Sequence, residues 1–381
     1  MADRRLRVLV VSLGRRGGIN DYGWLMSRAL ALTCDVAAIT STGADNRERW
    51  ATLSGLHLEV PTFSSVLGLL ASFLASPRFA RIVRFARSFA PDVIYYPGGH
   101  AYKPLLDLLL PRSARVVLTV HDPELHAGED SLLHRLLDAS NRLRVDGYVL
   151  LNEAQRGEFV ARLKLDPTRV AVLPHGAFDH LGAARAPLAE VKGLEQAAPL
   201  AGNYALFVGR IERYKGLELL LRAYRDIERE VQFPLVIAGS GEFSSQEMEL
   251  LDGLKGRPIV VLNRWLSDTE VASLVSAARF VVLPYTSATQ SGVIPLASAL
   301  GVPSIATDTG GLAEQVMHGE TGFLFAAGDR KALAAQLEQA FAMDDAVYAR
   351  MCKSATSFAE ENWSWDVLAG RLISFFDSLI R

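Results

Sequence analysis

Short apolar runs alternate with stretches of helical period from one end of the chain to the other. In the first half, Arg7–Leu13, Val36–Thr40, Val93–Tyr96, Val116–Val120, Gly147–Leu151 and Val170–Leu173 predict strands, with helices between them. Continuous apolar runs separated by helical segments are the pattern of parallel sheets built from strand-helix-strand units, whose strands are covered on both faces. From about His175 to Asn203 the chain turns to Ala, Gly and Pro with little periodicity, which predicts a linker. The rhythm restarts with strands at Ala205–Val208, Leu235–Ala238, Ile259–Leu262, Phe280–Leu283 and Ser304–Thr307. The expected fold class is therefore α/β, twice over. Ser267 with Glu270 three residues on is a capping box that starts a helix. At the end of the chain Trp363 and Trp365 precede Val367, Leu368, Leu372, Ile373 and Phe376, an amphipathic run that needs a surface to dock on.

A chain of 381 residues is long enough for two such domains, each with its own core. Its 40 basic and 42 acidic side chains leave a net charge of -2, so no global field points to nucleic acid as a partner, and any basic site is local. Two cysteines, Cys34 and Cys352, make no disulfide framework, which fits a reducing cytoplasm. The charged start followed by a short apolar run lacks the form of a signal peptide, and no run approaches the roughly 20 apolar residues of a spanning helix. The expectation is a cytoplasmic protein, soluble or peripheral at the inner face of the cytoplasmic membrane.

The most informative stretch is Phe207-Val-Gly-Arg-Ile-Glu-Arg-Tyr-Lys-Gly216, where a strand ends at Gly209-Arg210 and a helix begins near Lys215-Gly216. Strand ends that face helix starts are where α/β sheets bind ligands, and helix-start N–H groups attract anions. Arg210 supplies a fork of donors and Lys215 a point charge for a diphosphate; a turn with two solvated cations explains the same ten residues. Pro284-Tyr-Thr-Ser-Ala-Thr-Gln-Ser-Gly-Val-Ile-Pro295 again runs from strand into helix. There Thr289 and Ser291 can donate to phosphate and Gly292 permits close backbone approach, while simple capping is the plainer role for Ser291. Ala306-Thr-Asp-Thr-Gly-Gly-Leu-Ala-Glu314 is a third polar strand end. In the first half, Gly14-Arg-Arg-Gly-Gly-Ile-Asn-Asp-Tyr22 is neither the phosphate-loop nor the dinucleotide fingerprint, though it can bind an anion or a sugar hydroxyl. His121 and Asp122 share another strand end, where an imidazole is more often a structural hydrogen-bonder than a catalyst. His175-Gly176 precedes the linker.

In this order the pieces resemble the family 4 glycosyltransferases. The likeness rests on Gly17-Gly18-Ile19, His121-Asp122, Leu173-Pro-His-Gly176, the Gly209-Arg210 block with Lys215-Gly216, Val236-Ile-Ala-Gly-Ser-Gly241, Gly310-Gly311 with Glu314, and the final Trp-containing helix. The resemblance implies the GT-B fold, two Rossmann-like domains facing across a cleft: residues 1–185 for the acceptor, 186–361 for the nucleotide sugar, and 362–381 as a helix packing back on the first. It implies transfer of a hexose-type sugar from a nucleoside-diphosphate sugar to a polysaccharide, lipopolysaccharide or lipid-linked glycan, with retention and without a metal or other cofactor. The absence of an Asp-x-Asp triplet agrees. By the same likeness Arg210 and Lys215 stabilise the departing diphosphate, and His121 lies over the donor sugar. Gly209, Gly241, Thr289, Gln290, Ser291, Gly292 and Glu314 belong to the donor site, and Gly17, Gly18, Asn20, Asp122 and His175 to the acceptor side. One departure stands out: the two glutamates usual in the family, eight residues apart, fall on Ala288 and Leu296. Gln290 and Ser291 stand in the same loop in their place.

Other readings stay open at this stage. Sugar-nucleotide epimerisation on the same fold consumes a donor without an acceptor, and a catalytically silent nucleotide-sugar binder accommodates the missing glutamates. A nicotinamide-dependent oxidoreductase lacks its fingerprint glycines, and glycoside hydrolysis lacks a carboxylate pair. Around 63–89, Arg78, Arg81, Arg84 and Arg87 alternate with Phe79, Ile82, Val83, Phe85 and Phe89. On a helical wheel Arg81, Arg84 and Arg87 fall within about 120° with apolar side chains largely opposite. Such a helix either lies on anionic lipid or packs its apolar face on its own sheet with the arginines in water.

Overall fold

The computed structural model describes residues 4–15, 17–65, 68–69, 76–121, 139, 142–178, 185–194, 200, 203–228 and 233–381. It divides into two compact units, Met1–Pro174 with Trp365–Arg381, and His175–Ser364. The first holds a seven-stranded sheet of β1 (Arg7–Ser12), β2 (Asp35–Ser41), β3 (Leu56–Val60), β4 (Val93–Tyr96), β5 (Arg115–Val120), β6 (Gly147–Leu150) and β7 (Val170–Val172). All its pairings are parallel, in the order β3-β2-β1-β4-β5-β6-β7. The second holds β8 (Ala205–Val208), β9 (Leu235–Ala238), β10 (Ile259–Leu262), β11 (Phe280–Leu283), β12 (Ser304–Thr307) and β13 (Gly322–Phe325), again all parallel, in the order β10-β9-β8-β11-β12-β13.

The apolar runs of the central strands form strands because each is sandwiched. Along β8, Leu206 and Val208 point into one cluster of the second unit while Ala205 and Phe207 point into the other, so a four-residue run with no polar side chain is satisfied on both faces. β3 and β13 were not expected from the pattern. β3 is a half-buried edge strand in which His57 and Glu59 alternate with leucines, so it carries no apolar run. The three apolar residues of β13 are too few to separate from a loop, and its pairing with β12 defines it. The capping box at Ser267 is formed, with the Glu270 amide donating to the Ser267 hydroxyl at 3.2 Å.

The units divide at Pro174/His175, where the linker expected from the pattern begins, and at Ser364/Trp365; the resemblance implied boundaries at 185/186 and 361/362. Local packing sets these positions: the Ala177 amide donates to Trp363 O at 3.0 Å, and the His175 ring lies 4.9 Å from that of Phe178. Ser364 is extended and breaks the helix Asp345–Trp363 from the helix Trp365–Ile380. The latter packs against helix Gly18–Leu30, burying Trp365, Leu368, Leu372 and Phe376 within the first unit.

Of the two readings of the arginine-rich helix, the structure matches the domain helix. Phe79, Ile82, Ala86 and Phe89 of Ser76–Phe89 are buried in the first unit's core, and Arg81, Arg84 and Arg87 are exposed. Its main apolar face is therefore occupied by the sheet and is not free for lipid. Next to it lies an ion pair that periodicity did not suggest: Lys103 Nζ donates to Asp107 Oδ2 at 2.5 Å with both side chains buried, and Tyr96 donates to the other carboxylate oxygen at 3.1 Å. Burial pushes the lysine pKa down and the aspartate pKa up, and each partner opposes the shift of the other.

Phe376, fully buried and edge-on to Tyr95 at 5.8 Å, ties the C-terminal helix to the first sheet. Phe376→Ala is expected to destabilise the first unit by about 3–5 kcal/mol, the range for truncating a buried phenylalanine. Urea unfolding followed by a probe in that unit measures it.

Candidate functional site

In both sheets the strand order reverses beside the first strand of the unit, and at such a switch point the loops leaving the two central strands diverge and open a crevice. In the second unit the switch lies between β8 and β11. Gly209 follows β8 with φ 126°, and a Cβ there would stand 2.5 Å from Lys215 Nζ. The lysine ammonium thus rests on the backbone of the strand end, which only glycine leaves open. Gly216, at φ 68°, turns the chain from the short 3-10 turn Arg213–Lys215 into helix Leu217–Asp226, and a side chain there would collide with Pro284 O. The close approach joins the β8 loop to the β11 loop. The Thr286 amide donates to Tyr214 O at 2.8 Å, and Lys215 Nζ sits 5.3 Å from the centroid of the Tyr285 ring.

Among the described residues the Lys215 ammonium has no carboxylate within ion-pair range and no hydrogen bond. Burial pushes its pKa below the usual lysine value; the Arg210 guanidinium adds to that shift, and Tyr214 and Glu212 oppose it. Arg210 is exposed and pairs with Glu212 at 2.8 Å. Two cations and a strand-to-helix turn thus converge on one strand end, and the inner cation lacks an anion. Desolvating an ammonium without a counter-charge is unfavourable, and a bound anion relieves it.

The β11 loop is held from beneath by a residue the sequence did not single out. The Ser291 amide donates to Gln315 Oε1 at 3.0 Å, and Gln315 Nε2 donates to Ser291 O at 2.9 Å, all buried. The Ser291 hydroxyl accepts from the Val293 amide at 3.2 Å, satisfying the first amide of helix Val293–Ala299, whose N-cap is Gly292. Ser291 also bonds Tyr285, whose phenol burial pushes up to about 12. Gln290, one residue before, has a buried side-chain carbonyl with no partner. Ala288 packs at the edge of the core and Leu296 is inside it, so neither offers a polar group. Gly241 has its N–H and C=O engaged by the Asn263 side chain at 3.2 and 3.0 Å and stands against Ile211, a strand-end contact. Glu314 is exposed on the short helix Leu312–Gln315, and Thr289 is half-buried. His175, expected on the acceptor side, belongs to the second unit: its Nδ1 donates to Gly176 O at 2.8 Å and its ring edges the helix start at Gly292.

In the first unit the switch lies between β1 and β4. The Gly17 amide and the Asn20 side chain donate to the two Asp45 oxygens at 3.1 and 3.2 Å, so a carboxylate from beyond β2 fixes the first loop; Gly18 is exposed. His121 Nε2 donates to Pro97 O at 2.7 Å, which places the proton there, and its ring meets Tyr22 edge-on at 5.0 Å. Gly98 lies between His121 and Ile19, bringing the two sequence candidates of this unit to one strand edge. Asp122 lies outside the described residues. Sequence reasoning passed over Gln315, Asp45 and Tyr285. Tyr285 stands inside the block already singled out, whereas neither Gln315 nor Asp45 carries a motif signal, because each acts on backbone or side chains far along the chain.

Two family descriptions match: "Glycosyl transferase 4-like domain" over residues 17–176 and "Glycosyl transferases group 1" over residues 202–343. The chain belongs to the family 4 type of GT-B glycosyltransferase. A curated relative, the D-inositol 3-phosphate glycosyltransferase of Streptomyces scabiei, is 32% identical over 62% of this chain and 54% of its own length. The chain thus spans about half of that relative. Among solved structures of the GT-B glycosyltransferases, Anabaena HepE in complex with UDP superposes with a TM-score of 0.73 at 18% identity, covering 98% of this chain and 100% of its own. The catalytic domain of starch synthase IV from Arabidopsis thaliana, bound to ADP and acarbose, gives 0.72 at 15% identity with full coverage of both chains. These likenesses establish the fold.

Replacing Gln315 by Leu strands a buried N–H and a buried C=O of Ser291, each costing about 1–3 kcal/mol. Gln315→Leu is expected to lower the unfolding midpoint of the second unit, and Gln315→Glu, which sets a buried carboxylate against the Ser291 carbonyl, to lower it as well. Denaturant titration of the three proteins checks this.

Proposed function

We propose that this glycosyltransferase-family chain transfers a hexose-type sugar from a nucleoside-diphosphate sugar to a glycan or lipid-linked hydroxyl acceptor, retaining the anomeric configuration. The observation that carries the reading is the ammonium of Lys215, set on the Gly209 backbone with no anion of its own and with Arg210 beside it. As the bond between the anomeric carbon and the diphosphate oxygen breaks, negative charge grows on the leaving group. A partly desolvated cation already in place stabilises that charge more than it stabilises the ground state. The acceptor oxygen takes the vacated position, and its proton leaves with the phosphate or to water. In this scheme the two cations carry the counter-charge without a metal. UDP and ADP in the related folds support a nucleoside diphosphate as the donor's leaving part.

Gln290 is proposed to take over the hydroxyl recognition that a carboxylate performs elsewhere in the family. Its unpaired side-chain carbonyl is an acceptor awaiting a sugar or ribose hydroxyl. A neutral amide binds such a hydroxyl without adding negative charge beside the departing diphosphate.

A thermal-shift panel of UDP, GDP, ADP and their sugars tests the reading. A ligand at 100 times its dissociation constant stabilises by about 2.7 kcal/mol, so the donor's nucleotide is expected to stand out. With that donor, Lys215→Ala is expected to lower kcat by roughly 10²–10³-fold, the effect of removing one preorganised charge-stabilising donor. Arg210→Ala, at an exposed and ion-paired position, is expected to lower it less. Unchanged turnover in both, or no stabilisation by any nucleotide, contradicts the proposal.

The sign of the pH dependence follows from the depressed Lys215 pKa. Below it the ammonium is charged and diphosphate affinity is full; as pH rises through it, before the ordinary lysine value is reached, the charge is lost and affinity falls. Lys215→Arg is expected to bind with an affinity flat over the same interval, measured by calorimetric titration.

A further inference from the structure

His121 is held by more than its own hydrogen bond, and the hold leads to the C-terminal helix. Helix Gly18–Leu30 supplies two consecutive residues to it. The Tyr22 ring stands edge-on to the imidazole at 5.0 Å, with an interplanar angle of 82°. Gly23 lets the same helix close on Pro97, since a Cβ there would stand 3.2 Å from Pro97 Cγ, and Pro97 carries the carbonyl to which His121 Nε2 donates. Tyr22 is itself fully buried and propped twice. A second ring, that of Trp365, lies 5.3 Å from it at 72°, and its hydroxyl accepts from Tyr95 at 3.4 Å. The Tyr95 hydroxyl also shares a 2.8 Å hydrogen bond with Thr119, two residues before His121 on β5, and the Tyr95 ring rests on Phe376. Trp365 and Phe376 both belong to helix Trp365–Ile380, so one helix supports the tyrosine at its ring and, through Tyr95, at its hydroxyl.

A hydrogen bond at one ring nitrogen leaves an imidazole able to pivot about that bond, because χ2 of histidine has broad wells. A neighbouring ring blocks the swing only if it is itself fixed, and edge-to-face packing fixes the tilt of a ring as well as burying its area. We propose that Trp365 is a positioning residue for His121: through Tyr22 it blocks the swing of the imidazole and holds it in the orientation that sugar transfer uses. The inference rests on the sugar-transfer reading, with His121 over the donor sugar as the family likeness implies. Trp365 is buried and acts from behind the tyrosine.

The test reads the imidazole directly by nuclear magnetic resonance of the full chain labelled at histidine, in which the His121 signals are those lost in His121→Gln. Trp365→Leu is expected to move and broaden them, and Trp365→Phe, which keeps a ring, to move them less. Circular dichroism confirms folding, and where the leucine variant does not fold Trp365→Met carries the same comparison. In the donor assay Trp365→Leu is expected to lower kcat roughly 10–100-fold, the order that a misplacement of about 1 Å costs, with the donor KM held within about twofold because the cations of the second unit are untouched. Added to His121→Gln, it is expected to lower kcat no further. Phe375→Ala is the control for stability: it loses packing against Gly147, about 15 Å along the same helix from Trp365. It is expected to lower the unfolding midpoint and to leave the His121 signals and kcat as they were. Unmoved His121 signals in Trp365→Leu, a kcat loss in Phe375→Ala equal to that in Trp365→Leu, or a Trp365→Leu loss that persists in full in the His121→Gln background overturns the proposal. The imidazole signals need no substrate, so a chain that turns over no donor fails the transfer reading while the seat of His121 is still tested.

Discussion

An ammonium without an anion organises the second unit. Lys215 is carried over the end of β8 by a turn that needs glycine at 209 and at 216, is faced by Tyr285 from the β11 loop, and is pushed toward neutrality by burial and by Arg210. Burial and the Arg210 charge both disfavour the ammonium, and the Tyr285 ring beneath it attracts it. A stretch of structure that keeps a cation partly desolvated and unpaired is stable only because the surrounding strands fix it, and it gains when an anion arrives. The switch point between β8 and β11 supplies the crevice, because the two loops leave the sheet in opposite directions.

The loop on the far side of that crevice is stiffened from within. Gln315 clamps both backbone groups of Ser291, and the Ser291 hydroxyl starts the next helix. Gln290 is therefore presented from a fixed backbone, with its carbonyl oxygen unpaired. The first unit repeats the principle with different groups: Asp45 fixes the Gly17–Asn20 loop, and Pro97 O fixes the tautomer of His121. In both units a residue distant in sequence sets the geometry of a strand-end loop.

That dependence explains what the sequence made legible. Apolar runs announce strands, whether central ones buried on both faces or the apolar edge strands β7 and β10, so eleven strand positions and the α/β class could be read directly. The edge strand β3, with His57 and Glu59 on its half-exposed face, could not. The Gly209-Arg210 and Lys215-Gly216 spacing is local and was readable. The Gln315 clamp, the Asp45 clamp and the buried Lys103–Asp107 pair join residues through tertiary contact and leave no periodic trace. His175 looked like a first-domain residue because it follows the last strand of that sheet, yet Phe178 and the Trp363 carbonyl draw its segment into the second unit. The arginine helix showed its two faces correctly, but periodicity cannot say whether a sheet or a bilayer covers the apolar one.

The most direct measurement is a crystal structure of the protein with the nucleoside diphosphate that stabilises it most. The account predicts diphosphate oxygens within about 3 Å of Lys215 Nζ, at hydrogen-bond distance, at the end of β8. A diphosphate bound elsewhere, with Lys215 still lacking an anion, would contradict it.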